Sequence, residues 1–221
     1  MHFSQRKLTC NQPNIICKNN AIDTVTVTKF LGLTIDKNLN WKAHIALLSK
    51  RMCSGAYALF RLSYILNTDA LLTAYYGLVE SLLRYGIIFW GNSTDKEIIF
   101  KAQKRTIRSM FKLKVTDSCK PYFKQHKLLT LPAIYILEIV LFVKSNPNLF
   151  PRLADSVSRN RRDDSRLRLH AARTALMRKS IFCMAPIIYN KLPKTWKSQS
   201  YVILKRQLKA FLIDKAYYSV C

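Results

Sequence analysis

Apolar and polar positions change rhythm twice along this chain of 221 residues. Before residue 40 the apolar residues come in short runs broken by turn formers, which is a strand pattern. Asn14 to Lys18 and Asp23 to Thr28 read as two strands around the turn Lys18-Asn19-Asn20-Ala21. Lys29 to Asp36 (KFLGLTID) reads as a third strand with Gly32 inside it. Asp36-Lys37-Asn38 then supplies turn chemistry before the first helix.

From Trp41 the spacing becomes helical. Ile45, Leu48, Met52, Ala56, Leu59 and Phe60 hold one face through Leu62, with Lys42, Lys50 and Arg51 off it. Thr68 or Asp69 can cap a second helix reaching about Phe89. Gly91-Asn92-Ser93 breaks it, and Thr94 or Asp95 opens a third helix toward Leu113. A shorter segment from about Tyr122 to Leu128 follows. The next helix runs from Pro132 to Lys144, its proline at the first turn where a missing N–H is no loss.

Asn146-Pro147 ends that region, and the pattern fades between residues 152 and 179. IFCMAPIIYNKLPKTW forms a small terminal unit. A last helix from about Ser200 to Lys215 carries apolar positions at Val202, Leu204, Leu208, Phe211 and Leu212. Together these elements predict a mainly α protein: a helical bundle preceded by a small β-hairpin or strand unit, with a basic, partly ordered segment and a C-terminal helix. The divisions fall at 1–40, 41–145, 146–180 and 181–221.

Charge adds a second layer. Lys and Arg number 37 against 12 Asp and Glu, for a net charge of +25. Salt bridges cannot neutralise such a surplus, so much of it faces solvent or a partner. Eleven Tyr, eleven Phe and three Trp set the chain apart from a disordered basic tail. In the third helix Lys101, Lys104, Arg105, Arg108 and Lys112 recur at offsets of three, four, seven and eleven, which puts all five on one side. Ile99, Ala102, Thr106, Ile107 and Met110 fall on the other side. Such a helix can dock on a core and offer its cations to a polyanion, and nucleic acid matches the scale of the charge. Arg159, Arg161, Arg162, Arg166, Arg168 and Arg173 form a second basic cluster, suited to nucleic-acid contact, to a flexible linker or to nuclear import.

Other chemistries find little support. The six cysteines form no C-x-x-C pair, and Cys119 with His126 lacks partners at zinc-site spacing. MHFSQRKLTC has no apolar leader stretch, so an intracellular protein, nuclear or cytoplasmic, is expected. The apolar run Ala70 to Trp90 contains Glu80 and Arg84, four apart in the order that favours a helical ion pair, and reads as core rather than membrane. Tyr75, Tyr76 and Tyr85 read as core by their spacing, and Trp41, Trp90 and Trp196 as packing anchors. His44 and His170 have no nucleophile or orienting carboxylate near them in sequence.

TKFLGLTIDKNLNWKAHI (Thr28 to Ile45), LLRYGIIFWG (Leu82 to Gly91) and AQKRTIRSMF (Ala102 to Phe111) resemble, in order, landmarks of jockey-type non-LTR retrotransposon reverse transcriptases. LRLHAARTALMRKS, IIYNKLPKTW and LKAFLIDKAYYSV resemble the tail of the same polyproteins, so the resemblance covers nearly the whole chain. It implies that residues 1–40 hold the end of the palm, with Phe30, Leu31 and Gly32 as primer-grip-like residues. The helices after Trp41 would form the thumb, and the basic helix would lie near the template–primer duplex.

In that family an aromatic-Ala-Asp-Asp motif and an earlier Asp hold two divalent metal ions for nucleotidyl transfer. That motif belongs upstream of the matched segment. The single Asp-Asp pair here, Asp163-Asp164, sits among arginines in RNRRDDSRLR. The expectation is a non-catalytic part of an RNA-directed DNA polymerase with no cofactor of its own. Its partners would be RNA, DNA or an RNA–DNA duplex, and an N-terminal polymerase portion if one is encoded upstream. The alternatives are a decayed mobile-element remnant or incomplete gene model without independent activity, and a basic protein-interaction module.

Overall fold

Two short hairpins precede the helices in the computed structural model, which describes residues 15–17, 20–22, 25–153 and 165–219. β1 (Ile15–Cys17) pairs antiparallel with β2 (Asn20–Ile22), and β3 (Val27–Phe30) with β4 (Leu33–Asp36). Asn20 and Ala21, expected in a turn, belong to β2. Of the strand expected from Asp23 to Thr28, only Val27 and Thr28 are in β3. Asp23 and Thr24 lie outside the described residues.

Gly32 is not inside a strand. Phe30 pairs with Leu33, which leaves Leu31 and Gly32 as a two-residue turn at φ 44° and 78°. Two successive positive φ angles mark the turn class whose twist suits a tight hairpin. Glycine adopts this region freely and leucine does not. The Leu31 carbonyl is held by a hydrogen bond from the Tyr85 hydroxyl.

Asp36 then shapes the entry to the helices. Its buried carboxylate accepts from the backbone N–H groups of Asn38, Asn40 and Trp41 at 3.1, 3.1 and 2.8 Å. These bonds hold a loop in which Leu39 and Trp41 both take left-handed backbone angles. α1 (Lys42–Leu62) follows and buries Ile45, Leu48, Met52, Ala56 and Leu59 as its period predicts. Phe60, expected on that face, is instead exposed and meets Tyr64 edge-on.

The single helix expected up to Phe89 is broken. α2 (Thr68–Tyr75) is capped by Asn67, whose side chain accepts from the Ala70 N–H at 2.9 Å, rather than by Thr68 or Asp69. A π turn (Tyr76–Glu80) continues into α3 (Ser81–Arg84). Tyr85 is then extended, and Gly86 at φ 61° starts α4 (Ile87–Trp90). A Cβ on Gly86 would sit 2.8 Å from Leu33 Cδ2, so both the angle and the close approach to β4 require glycine.

α5 (Lys96–Phe111) packs along α1 and buries Ile99, Phe100, Ala102, Gln103, Thr106, Ile107 and Met110. α6 (Lys120–Gln125) leads to α7 (Leu131–Ser145), which the Thr130 side chain caps. α7 is apolar on nearly every side and therefore central. α3, α4, α5, α9 (Ile181–Asn190) and α11 (Tyr201–Lys215) all pack on it. One hydrophobic cluster runs from Ile45 through α7 to Leu212. On α11 Leu204, Leu208 and Leu212 are buried, whereas Val202 and Phe211 are exposed, contrary to expectation. Phe211 covers the edge of Trp196, next to α10 (Lys194–Lys197).

Part of the basic stretch falls within the described residues. Arg152 and Leu167 form a bridge, and Ala175–Lys179 is the short helix α8. Asn190 clamps Leu167 with both ends of its amide, at 2.8 and 3.0 Å. Among the described residues no helix is long and apolar enough to cross a membrane. Glu80, within the longest apolar run, is paired with Arg84 at 2.8 Å.

The polar centre of the bundle is Gln103, fully buried. Its Nε2 donates to the Tyr75 hydroxyl at 3.0 Å and to the Leu129 carbonyl at 2.9 Å, while its Oε1 accepts from the Leu131 N–H at 2.8 Å. Replacing Gln103 by Leu strands three shielded groups, each worth about 1 kcal/mol or more. The expected loss is about 3 kcal/mol in urea unfolding, and a variant as stable as the parent would refute the bridging role.

Candidate nucleic-acid interface

With its Gln103 side locked in the core, α5 can present its opposite side in only one way. Lys101 and Arg105 stand exposed on it. Lys104 is half-buried, its Nζ 4.7 Å from the Phe100 ring centroid and 5.5 Å from that of Tyr218. Arg108 donates from Nε and Nη2 to the Asp117 carbonyl at 3.3 and 3.0 Å. Lys112 ends the helix in a left-handed conformation and sets its Nζ 3.8 Å above the Tyr64 ring.

The five stripe cations thus have two kinds of surroundings. Lys101 and Arg105 are open to a partner, and the other three are steadied by a ring or a carbonyl without losing charge. Cys119 lies beneath, donating its thiol to the Lys104 carbonyl at 3.5 Å. Burial pushes that thiol up, against the pull of Arg108 and Lys104, so it stays protonated. The ring partners Tyr64 and Tyr218 are remote in sequence, and no spacing rule could have found them.

Phe30, Leu31 and Gly32 sit together at the tip of the β3–β4 hairpin, with Phe30 62% and Leu31 75% exposed. The tip is held from behind. Tyr85 is exposed rather than in the core, and its hydroxyl is spent on Leu31. Tyr76 is exposed too, and of the three tyrosines only Tyr75 is buried. Under the tip is a cavity of about 460 Å³ with Arg84 and Glu138 in its wall, where Arg84 pairs with both Glu80 and Glu138.

The second basic cluster divides. Arg159, Arg161, Arg162 and the Asp163-Asp164 pair lie outside the described residues. Arg166, Arg168 and Arg173 are exposed. The Arg166 carbonyl accepts from the Leu153 N–H, and the Arg168 N–H donates to the Pro151 carbonyl, at 2.8 and 3.0 Å. This segment is tied to the start of α5 by Lys179, whose Nζ donates to Thr94 Oγ1 at 2.7 Å.

No protein-family model matches the chain, and neither curated proteins nor solved structures match it.

His44 links α1 to the hairpin. It is buried between Trp41 and Trp90, and its Nδ1 accepts from the Thr34 N–H at 3.5 Å. Burial, aided by the Arg51 charge, holds its pKa below the ordinary 6.5. The unfolded chain therefore binds the proton more tightly, and folding stability falls as pH drops below about 6.5. His126, lowered by burial as well, acts in the same direction. Thermal melts at pH 7.5 and 5.5 should show a loss at the lower pH that shrinks in His44→Gln. An undiminished loss in that variant would assign the dependence elsewhere.

Proposed function

We propose that this chain is the thumb and C-terminal part of a non-LTR retrotransposon reverse transcriptase, holding RNA or a template–primer duplex through phosphates. The observation that carries the proposal is the α5 surface. A helix locked by Gln103 offers Lys101 and Arg105 outward, flanked by ring-steadied Lys104 and Lys112, in a chain of net charge +25. Lysine and arginine on one helix face suit phosphate contact, which positions a duplex without reading bases. No catalytic step is assigned to these residues, and the two metal ions of nucleotidyl transfer would belong to the full polymerase. Such a role requires the nucleus or the cytoplasm.

The hairpin supports a second alternative, a remnant without independent activity. Val27, Phe30 and Leu31 expose apolar surface on a hairpin that pairs with no further strand among the described residues. Surface of this kind is normally covered by a neighbour, as an upstream palm would do, and promotes association when bare. Binding and association are measured separately, so the two alternatives separate as well.

If about five phosphates of a duplex are contacted, log affinity should fall against log salt with a slope of about −4 to −5. The Lys101→Ser, Arg105→Ser double variant should flatten that slope by about two. An unchanged slope in a folded variant would sink the assignment of this surface. For the hairpin, Phe30→Ser with Leu31→Ser should raise the monomeric fraction in light scattering. Equal association in the parent and the double variant would clear the tip of that role.

A further inference from the structure

A cavity of about 560 Å³ lies where the loop before α1 meets the loop before α5, away from the cationic stripe's far end. Its volume is in the range of small-molecule sites. Trp41 and Phe89, stacked with centroids 6.5 Å apart and planes 26° from parallel, line one side. Ile181 and Phe182 line it from α9. Ser93 contributes a hydroxyl of another kind. The residue is only 5% exposed, and its Oγ has no hydrogen-bond partner among the described residues. A shielded hydroxyl in that state is costly, and a ligand that bonds it removes the cost.

The electrostatics are one-sided. Among the described residues Lys179 is the charged side chain in the lining, and no Asp or Glu accompanies it. Its bond to Thr94 Oγ1 uses one of three ammonium donors and leaves two. An anionic group at the mouth and a flat, partly apolar body inside would satisfy these surroundings. An acyl anion would meet Lys179 and the aromatic wall, but its tail would leave the shielded Ser93 hydroxyl unpaired, which is unfavourable. A heterocyclic base with donors and acceptors on its edge pairs it and lays a flat face on the stacked wall.

We propose that this cavity binds a nucleoside monophosphate unit, its base against the Trp41–Phe89 step and Ser93, its phosphate on Lys179. The unit can come from a free nucleotide or from a single strand. The cavity makes no use of the α5 cations and stands whether or not the chain is part of a polymerase.

The test is isothermal titration of the full chain with adenosine 5′-monophosphate, adenosine and decanoate. Ala175, exposed at the first residue of α8, also lines the cavity, and Ala175→Trp fills it. Circular dichroism of this surface variant checks that the fold is retained. The monophosphate should bind saturably, about tenfold or more weakly to Ala175→Trp. Lys179→Gln should weaken the monophosphate by about tenfold and leave adenosine nearly unchanged, as loss of a charge-assisted hydrogen bond predicts. No saturable binding, equal affinity in Ala175→Trp, or decanoate displacing the monophosphate at lower concentration would each overturn the site.

A short oligoadenylate compared with its abasic-substituted counterpart then separates the sources. Preference for the intact strand that Ala175→Trp abolishes identifies a strand unit, and equal binding alongside monophosphate binding identifies a free nucleotide. The Lys101→Ser, Arg105→Ser variant should bind the monophosphate normally. Failure of the parent chain to bind any strand while it binds the monophosphate counts against the polymerase proposal alone, and strand binding without monophosphate binding counts against the cavity alone.

Discussion

One buried amide governs the rest of this fold. Gln103 joins α5 to α2 through the Tyr75 hydroxyl and to the start of α7 through the main chain at Leu129 and Leu131. Apolar packing alone tolerates a helix that rolls or slides by a fraction of a turn, because dispersion is non-directional. An amide with three fixed partners does not. Since Lys104 and Arg105 follow directly in sequence, the same bonds that register the core also aim the cations.

The arrangement of α1 and α5 sorts the surface into two ends. Their N-terminal approaches, Trp41 and Asn92 to Thr94, share one cavity, and beyond their C-termini Lys112 lies over Tyr64. The two helices therefore run parallel. Among the described residues the cavity lining is largely apolar and aromatic with one lysine, whereas the stripe runs from Lys101 to the C-terminal end of α5. Two chemically different surfaces sit on one rigid pair, and a ligand at one need not disturb the other.

How much could be read in advance depended on whether the deciding contacts were local. α1 and α5 were legible in extent and in face, because their apolar residues repeat at helical spacing and nothing interrupts them. The helix expected up to Phe89 failed at Tyr85-Gly86. Apolar residues continue on both sides of that break, and the close approach that requires glycine there comes from Leu33, more than fifty residues earlier in the chain. The hairpin turn failed for a similar reason: Leu31 at positive φ carries no turn signal of its own, and its support comes from Tyr85. The stripe residues were legible as charges. Their division into open and ring-steadied cations was not, because Tyr64 and Tyr218 reach α5 only through the tertiary fold. The Trp41–Phe89 cavity escaped for the same reason, since its walls come from three separated stretches.

Thr130, which caps the central helix α7, donates its hydroxyl to the carbonyl of Tyr217, 87 residues away, and Tyr218 closes over Phe100 beside Lys104. Both tyrosines are synthesised after α5, α6 and α7. Until then the nascent chain carries an α5 whose cations are chemically complete and whose core side has α1 to pack on, while the sides of α7 that meet α9 and α11 stand uncovered. Contacts of such long separation form slowly, and surface awaiting them is available to neighbours meanwhile. The nascent protein is thus a polycation with an open hydrophobic flank on α7 until α9 and α11 close it.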